Sequence, residues 1–439
     1  MKATKVFEPE APQQSIDVSV EKMVYGGEGL ARTPEGVLLV PGVITGERAR
    51  VLPEPARRGV RRARLLELSE PSPERVAPEC PYYSRCGGCQ HQHMSYPQQL
   101  AMKQQILAEC FERIGKIHLE VPVQVIASKP WHYRNRVRLQ LEKNSSGFRA
   151  GYLEHGSHTM VPVESCPIAI AAIEAVVREL SGGRLAELFP EGAFELELFS
   201  DESGGALLAT VYAGTPPPAT FGEAWRGALP QFESVCWSQS VPPQRGGRPA
   251  DTIWGSGAIT YRVGEFHFRI SHHSFFQVNH GMLRSLLDAA SGDHSGARAL
   301  DLYAGAGFFT LALARRFERV AAVEAHPASA TDLATNIGVM GLRVQAHRKT
   351  AERFLATTSH NWDLVLVDPP RTGLSQPVLE GLRRIRAPRL VYVSCDPTTL
   401  ARDLQFLCGA GYRIESVHLA DQFPQTFHIE AIVHMTQRV

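Results

Sequence analysis

From about residue 270 onward, short apolar runs alternate with stretches of helical periodicity, and this pattern constrains the fold more tightly than any other. The runs ARALDLY, RVAAVEA, DLVLVDP, RLVYVSC, YRIESVHL and HIEAIVHM read as strands, with helical stretches such as FFTLALARRF and ATDLATNIGVM between them. Strands that are apolar along their whole length are buried on both faces, and helices between them supply the cover. The expectation is an α/β domain built on a parallel, doubly wound sheet. Open sheets of this kind bind ligands beyond the carboxyl ends of their strands, so the residues just past each run carry the functional information.

The first such end is DLYAGAGFFT, residues 301–310. Gly305 and Gly307 permit a tight turn and close backbone approach to a ligand. Glu324 ends the next run, 19 residues after Gly305, where an acid grips ribose hydroxyls. A dinucleotide fingerprint needs a third glycine near position 310, where Thr310 stands. Asp301, four residues before Gly305, would meet a pyrophosphate badly. It suits a cationic donor such as S-adenosylmethionine, which has no phosphate and carries a sulfonium and an ammonium group. That donor is the favoured reading over NAD.

LVLVDPPR (364–371) and LVYVSCDPTTL (390–400) end two further strands. Cys395 follows its apolar run and precedes Asp396-Pro397, which forces a turn. A structural thiol sits more naturally inside a strand; at the lip this one faces the cofactor cleft. The helix that follows is expected to lower its pKa. A thiolate beside a methyl donor suggests pyrimidine chemistry: attack at C6 makes C5 nucleophilic, C5 takes the methyl group, and a base then removes the C5 proton. Glu430, an acid inside the apolar run FHIEAIVHM, is the candidate base.

The front half reads differently. Residues 15–69 hold short apolar runs separated by GGEG, TPEG and TGE turns, the spacing of a small β-barrel. Within it, residues 48–64 hold seven arginines and one acid, a candidate phosphate-tracking surface. CPYYSRCGGCQ puts Cys80, Cys86 and Cys89 within ten positions. A metal, a redox pair or a disulfide would each explain such a run; eight cysteines in 439 residues are too few for a disulfide scaffold. A helix is expected over 96–115, with Cys110 as a core thiol. Arg134, Arg136 and Arg138 alternate and so share one face of a strand, either an exposed sheet face or an RNA-facing stripe. Trp131 and Tyr133 beside them are candidates to stack on splayed bases. Residues 1–14 read as a loose tail, and 214–222 and 241–251 as loops.

Charge sets a further bound. With 46 basic and 45 acidic residues, a nucleic-acid surface must be a local patch. The start shows no apolar leader and no 18-residue apolar run occurs, so a cytoplasmic protein with no membrane association is expected.

Taken together, DLYAGAGFF, VDPPR, VSCDP and HIEAIVHM resemble the RNA uracil-C5 methyltransferases. GGEGLAR, VPGVITGER and SPERVAPECPYYSRCGGCQHQ resemble the TRAM domain and iron–sulfur segment of the bacterial 23S ribosomal RNA members. The resemblance runs from about residue 15 to the end. It implies a TRAM barrel over 12–70, a central α+β iron–sulfur and RNA-binding domain over 71–268, and a Rossmann-like methyltransferase domain over 269–439. It makes Cys395 the nucleophile and Glu430 the base, and it puts the donor against Gln277, Asp301, Tyr303, Gly305, Gly307, Phe308, Glu324 and Asp368. It makes Cys80, Cys86, Cys89 and Cys166 the ligands of a [4Fe–4S] cluster, with zinc as the alternative. Two positions depart from the family pattern. Ala304 stands for a cysteine, and Phe308 stands for an asparagine that contacts the donor.

The implied activity is formation of 5-methyluridine in 23S ribosomal RNA, with no obligate protein partner. Transfer RNA as substrate and a non-catalytic RNA-binding protein are the alternatives. A radical methylthiotransferase would want Cys-x3-Cys-x2-Cys where this chain has Cys-x5-Cys-x2-Cys. An amino-methyltransferase would want an aromatic residue where Arg371 stands.

Overall fold

The computed structural model describes residues 14–57, 59–144, 147–183, 185–239, 251–358 and 361–437. The tail before residue 14, Arg58 of the arginine run and residues 241–250 of the loop expected over 241–251 lie outside these residues, and Asp251 opens a strand instead. The chain divides into two compact units. The first draws on Met1–Glu79, Cys89–Met102 and Gln425–Phe427; the second on Cys80–Gly88, Lys103–Pro424 and His428–Val439.

In the first unit six short strands form two three-stranded antiparallel sheets. Ile16–Ser19, Arg48–Pro53 and Ala63–Glu70 make one, and Lys22–Val24, Glu28–Thr33 and Gly36–Pro41 the other. Alternating residues of both sheets, among them Val18, Leu38, Val40 and Val51, close on one core. Gly29 is required there, because a Cβ would stand 2.4 Å from Val43. The arginine run is not a bare positive stripe. Arg48, Arg50, Arg61 and Arg62 pair with Glu70, Asp17, Glu35 and Glu28 of the adjoining segments.

The second unit carries a seven-stranded sheet and an eight-stranded sheet. In the seven-stranded sheet the strand Arg136–Asn144 pairs with Ala193–Ser200, which sets Arg138 opposite Glu197 and Arg136 opposite Phe199. Arg138 bonds Glu197 at 2.7 Å and Glu195 at 3.0 Å, and the Arg136 guanidinium lies 4.1 Å from the centre of the Phe199 ring. Glu197 also lies 3.6 Å from Arg136 Nε, so both arginines have an acid beside them within the sheet, which bears on the two readings left open, an exposed face or an RNA-facing stripe. Tyr133 is also buried, its hydroxyl donating to the Pro424 carbonyl at 2.9 Å, so it offers no stacking face.

The eight-stranded sheet runs in the spatial order 344–347, 317–323, 296–302, 364–367, 389–394, 430–437, 412–420 and 123–126. The first five strands are parallel, as the apolar runs require. Glu430–Gln437 is antiparallel to both its neighbours, so the sheet is mixed where a parallel one was expected. The reason is local. The nine residues after Tyr412–Ala420 return the chain directly alongside itself as Glu430–Gln437, whereas a parallel neighbour would need a crossover of about a dozen or more residues. The edge strand Val123–Ile126 comes from the first third of the chain. Chain order reverses between Gly296–Leu302 and Leu364–Val367, which makes their carboxyl ends the switch point of the sheet. Among the described residues, no helix is long and apolar enough to cross a membrane.

Candidate active site

Four acids gather at these strand ends. Asp301 closes the strand Gly296–Leu302 with no exposed surface. Its Oδ2 accepts from the Thr310 hydroxyl at 2.5 Å, and its Oδ1 has no hydrogen-bond partner among the described residues. Burial raises its pKa to about 7, and the Glu324 charge adds to the effect. Asp368 follows Leu364–Val367; burial and the Asp301 charge push it up to about 8. Glu324 is fixed from two sides, Oε2 accepting from Gly305 N at 2.8 Å and Oε1 from His326 N at 2.5 Å. Glu430 opens its strand at 4% exposure, and burial with the Asp368 charge raises it well above the ordinary carboxylate range.

The loop between strand and helix is shaped for close approach. Tyr303 adopts φ 64°, a conformation costly for a bulky side chain, ahead of Gly305 at φ 55° and Gly307 at φ 96°. A Cβ at Gly307 would stand 2.9 Å from Leu333, whereas one at Gly305 would meet open space. The Phe308 ring turns inward and packs against Phe268, Phe276 and Phe309. Where an asparagine would present an amide, this chain has a core aromatic. Phe276 thereby ties its neighbour Gln277, 6% exposed, to the same loop.

Cys395 lies one residue past the strand Arg389–Ser394. The expectation that the next helix would lower its pKa is overturned. Asp396 caps that helix itself, its Oδ1 accepting from Thr398 N at 3.0 Å and Thr399 N at 2.9 Å, so the helix terminus is already satisfied. Burial, Glu430 and Asp368 push the thiol up to about 12. Arg371 opposes this through its charge and a hydrogen bond to the thiol.

Two residues of this cleft escaped the sequence reading. Arg371 was weighed there only as the absence of an aromatic side chain. His428 was not singled out at all. Its ring nitrogens lie 3.3 and 3.4 Å from Arg371 Nη2. Burial, with Arg371 and other nearby cations, lowers its pKa to about 3, so the imidazole is neutral. Its one sequence signal was its place two residues before Glu430.

The cysteines of the front half are a separate matter. Among the described residues, no group of three or more His, Cys, Asp or Glu side chains is disposed to hold a metal ion. In the second unit, Cys80, Cys86 and Cys166 are near enough to influence one another. Burial raises Cys86 to about 11, and the Cys166 and Cys80 thiols add to it. Burial also raises Cys166, beside the Tyr152 phenol. Cys89 belongs to the first unit.

The fold has a close counterpart among solved structures. The Pyrococcus abyssi tRNA (uracil-54, C5)-methyltransferase, determined in complex with S-adenosyl-L-homocysteine, superposes with a TM-score of 0.76 at 24% identity, over 95% of this chain and 99% of its own. The architecture is thus the α/β methyltransferase fold. At the level of sequence, the profile of the tRNA (uracil-5-)-methyltransferase family matches residues 95–438, and the chain belongs to that family of RNA-modifying enzymes. Its relatives include an uncharacterised RNA methyltransferase of Halalkalibacterium halodurans, 31% identical over 95% of this chain and 96% of its own length. Another is the 23S rRNA (uracil(1939)-C(5))-methyltransferase RlmD of Pseudomonas putida, 31% identical over 97% of this chain and 94% of its own length.

Proposed function

We propose that this protein transfers a methyl group from S-adenosylmethionine to C5 of a uridine in 23S ribosomal RNA, in the cytoplasm. The observation that carries the reading is the convergence of Cys395, Arg371, Glu430 and Asp368 in one desolvated cleft. The donor set fits a cationic cofactor. Asp301 and Asp368 are buried carboxyls held up near neutrality, and Asp301 Oδ1 is unpartnered among the described residues, so a cation between them is favoured. Asp301, Asp368, Glu324, Gln277 and the Tyr303–Gly307 loop, with Phe308 as its packed base, would hold S-adenosylmethionine, which when bound supplies an electrophilic methyl group.

The chain's own residues then have distinct tasks. The Cys395 thiol gives its proton to solvent and its sulfur bonds to C6 of the uracil, with Arg371 stabilising the thiolate. The C5=C6 electrons become available at C5, which takes the methyl group. Glu430 removes the C5 proton, the C5=C6 bond re-forms, and the C6–S bond breaks to return the thiolate. A carboxyl with a raised pKa is a stronger base once ionised, which suits Glu430 to this proton. The target base must leave its stack to reach a buried thiol.

For the front of the chain, residues 12–70 are assigned as a TRAM-type RNA-binding barrel, 71–268 as an iron–sulfur and RNA-binding segment, and 269–439 as the methyltransferase domain. The desolvated thiols of Cys86 and Cys166, with Cys80 near them, fit a site whose charge comes from bound metal. With Cys89, three residues after Cys86 in sequence, they would hold a [4Fe–4S] cluster of structural value. Iron and acid-labile sulfide analysis of anaerobically purified protein tests this, with about four of each expected per chain and zinc alone counting against it. The catalytic reading is tested by 5-methyluridine formation that disappears in Cys395→Ala.

A further inference from the structure

At the amino ends of the same strands, opposite the acid-lined cleft, lies a cavity of about 520 Å³. Arg298, Arg319 and Arg343 line it, together with Leu342, Val344 and Gln345. Arg298 and Arg319 come from adjacent parallel strands, and Arg343 stands one residue before the strand beside them. Arg298 pairs in register with Arg319, and Arg343 immediately precedes Val344, the partner of Val320. Neighbouring strands lie about 4.8 Å apart, so like charges in this arrangement repel.

Elsewhere the protein neutralises such arginines with acids, as Glu70, Asp17, Glu35 and Glu28 do on the front barrel. Here no acid is among the described residues that line the cavity, and the carboxylate of Asp363 beside them accepts from the backbone N–H groups of Ala297 at 2.7 Å and Arg298 at 2.9 Å. Edge-strand protection accounts for Arg343, whose strand ends the sheet, but not for Arg298 on an interior strand. The chain as a whole is nearly neutral, so this concentration of positive charge is local.

We propose that the cavity is an accessory RNA-backbone site, in which Arg298, Arg319 and Arg343 bind phosphodiester groups of the RNA substrate away from the target uridine. Guanidinium groups match phosphate oxygens with paired donors. Gln345 supplies a further polar side chain among the lining residues. The inference rests on the reading that the substrate is RNA. It adds that the protein grips that RNA at both poles of the sheet, and that this grip contributes to affinity without touching chemistry.

The test is filter binding of unmodified 23S ribosomal RNA transcript over a series of potassium chloride concentrations. Each single-strand phosphate contact contributes about 0.7 to the slope of log affinity against log salt. The triple variant Arg298→Ala, Arg319→Ala, Arg343→Ala is expected to flatten that slope by about 2 and to raise the KM for RNA, with kcat unchanged. The corresponding triple lysine variant, which keeps the charges, is expected to retain the slope. An alanine variant with wild-type slope and affinity overturns the proposal, as does a lysine variant that loses both. Wild-type protein that neither binds nor methylates any RNA would refute the underlying functional reading instead. Phenylglyoxal labelling read by mass spectrometry tests the three arginines directly. The transcript should protect them, and inorganic phosphate at the same phosphate concentration should not. Protection by phosphate alone would reassign the cavity to a small anion and also overturn the proposal.

Discussion

The Arg371 side chain hydrogen-bonds the Cys395 thiol, and its Nη2 lies 3.3 Å from His428 Nδ1. One guanidinium thus faces a thiol that must ionise on one side and an imidazole held neutral on the other. A neutral imidazole can receive an N–H of the guanidinium; a protonated one would repel it. Cys395 is also surrounded by acids that oppose its ionisation, which leaves Arg371 as the group that favours the thiolate.

Replacing Arg371 by alanine is therefore expected to raise the thiol pKa further. Alkylation of Cys395 by iodoacetamide at fixed pH, mapped by peptide mass spectrometry, should slow by about tenfold for each pKa unit gained. Unchanged alkylation would remove Arg371 from this role.

Donor binding should depend on pH with a definite sign. Asp301 and Asp368 have pKa values of about 7 and about 8 without the donor, so both are partly protonated near neutrality. A bound cation lowers both values, and binding therefore expels protons. S-adenosylmethionine affinity should rise between pH 6 and pH 8 and level off above. Calorimetry in buffers of different ionisation enthalpy should register proton release. S-adenosylhomocysteine, which lacks the sulfonium charge, should show a weaker dependence. Affinity that falls as pH rises would contradict this electrostatic account.

Glu430→Gln should separate the two halves of the reaction. Cys395 can still bond to C6 and C5 can still take the methyl group, but the C5 proton stays and the adduct persists. A covalent protein–RNA species that survives denaturing electrophoresis should accumulate, with turnover reduced by about a thousandfold or more. Normal turnover would show that another group is the base. Cys395→Ala should form no adduct at all.

Lys103 and Asp421 form an ion pair with no exposed surface, at 2.7 Å, and Lys103 also donates to the Phe423 carbonyl. This pair anchors the segment that leads towards the Glu430 strand. Lys103→Ala leaves a buried, uncompensated carboxylate and should cost about 3–5 kcal/mol in urea unfolding. The double change Lys103→Met, Asp421→Leu should recover most of that loss. A Lys103→Ala variant of wild-type stability would mean that the segment relaxes and admits water.

The sheet was legible in the sequence because its strands are apolar on both faces; Asp301 sits at the end of such a run, and Glu324, Asp368 and Cys395 each sit one step beyond one. The Cys395 environment was not. A helix start is visible in Asp396-Pro397, but whether its amide groups face the thiol or their own cap is decided by the Asp396 rotamer. The surroundings of Arg136 and Arg138 were hidden for a related reason. Their alternation placed them on one face correctly, while Glu195 and Glu197 lie far along the chain and only strand pairing brings them across. Arg371 and His428, 57 residues apart, meet through the same long-range pairing that no local pattern records.

The most direct measurement is nucleoside mass spectrometry on RNA incubated with the purified protein and S-adenosylmethionine, using unmethylated 23S ribosomal RNA and transfer RNA in separate reactions. The account requires new 5-methyluridine in the ribosomal RNA and none in the transfer RNA. Product confined to transfer RNA would contradict the assigned substrate, and no product in either, from folded protein, would contradict the proposed activity itself.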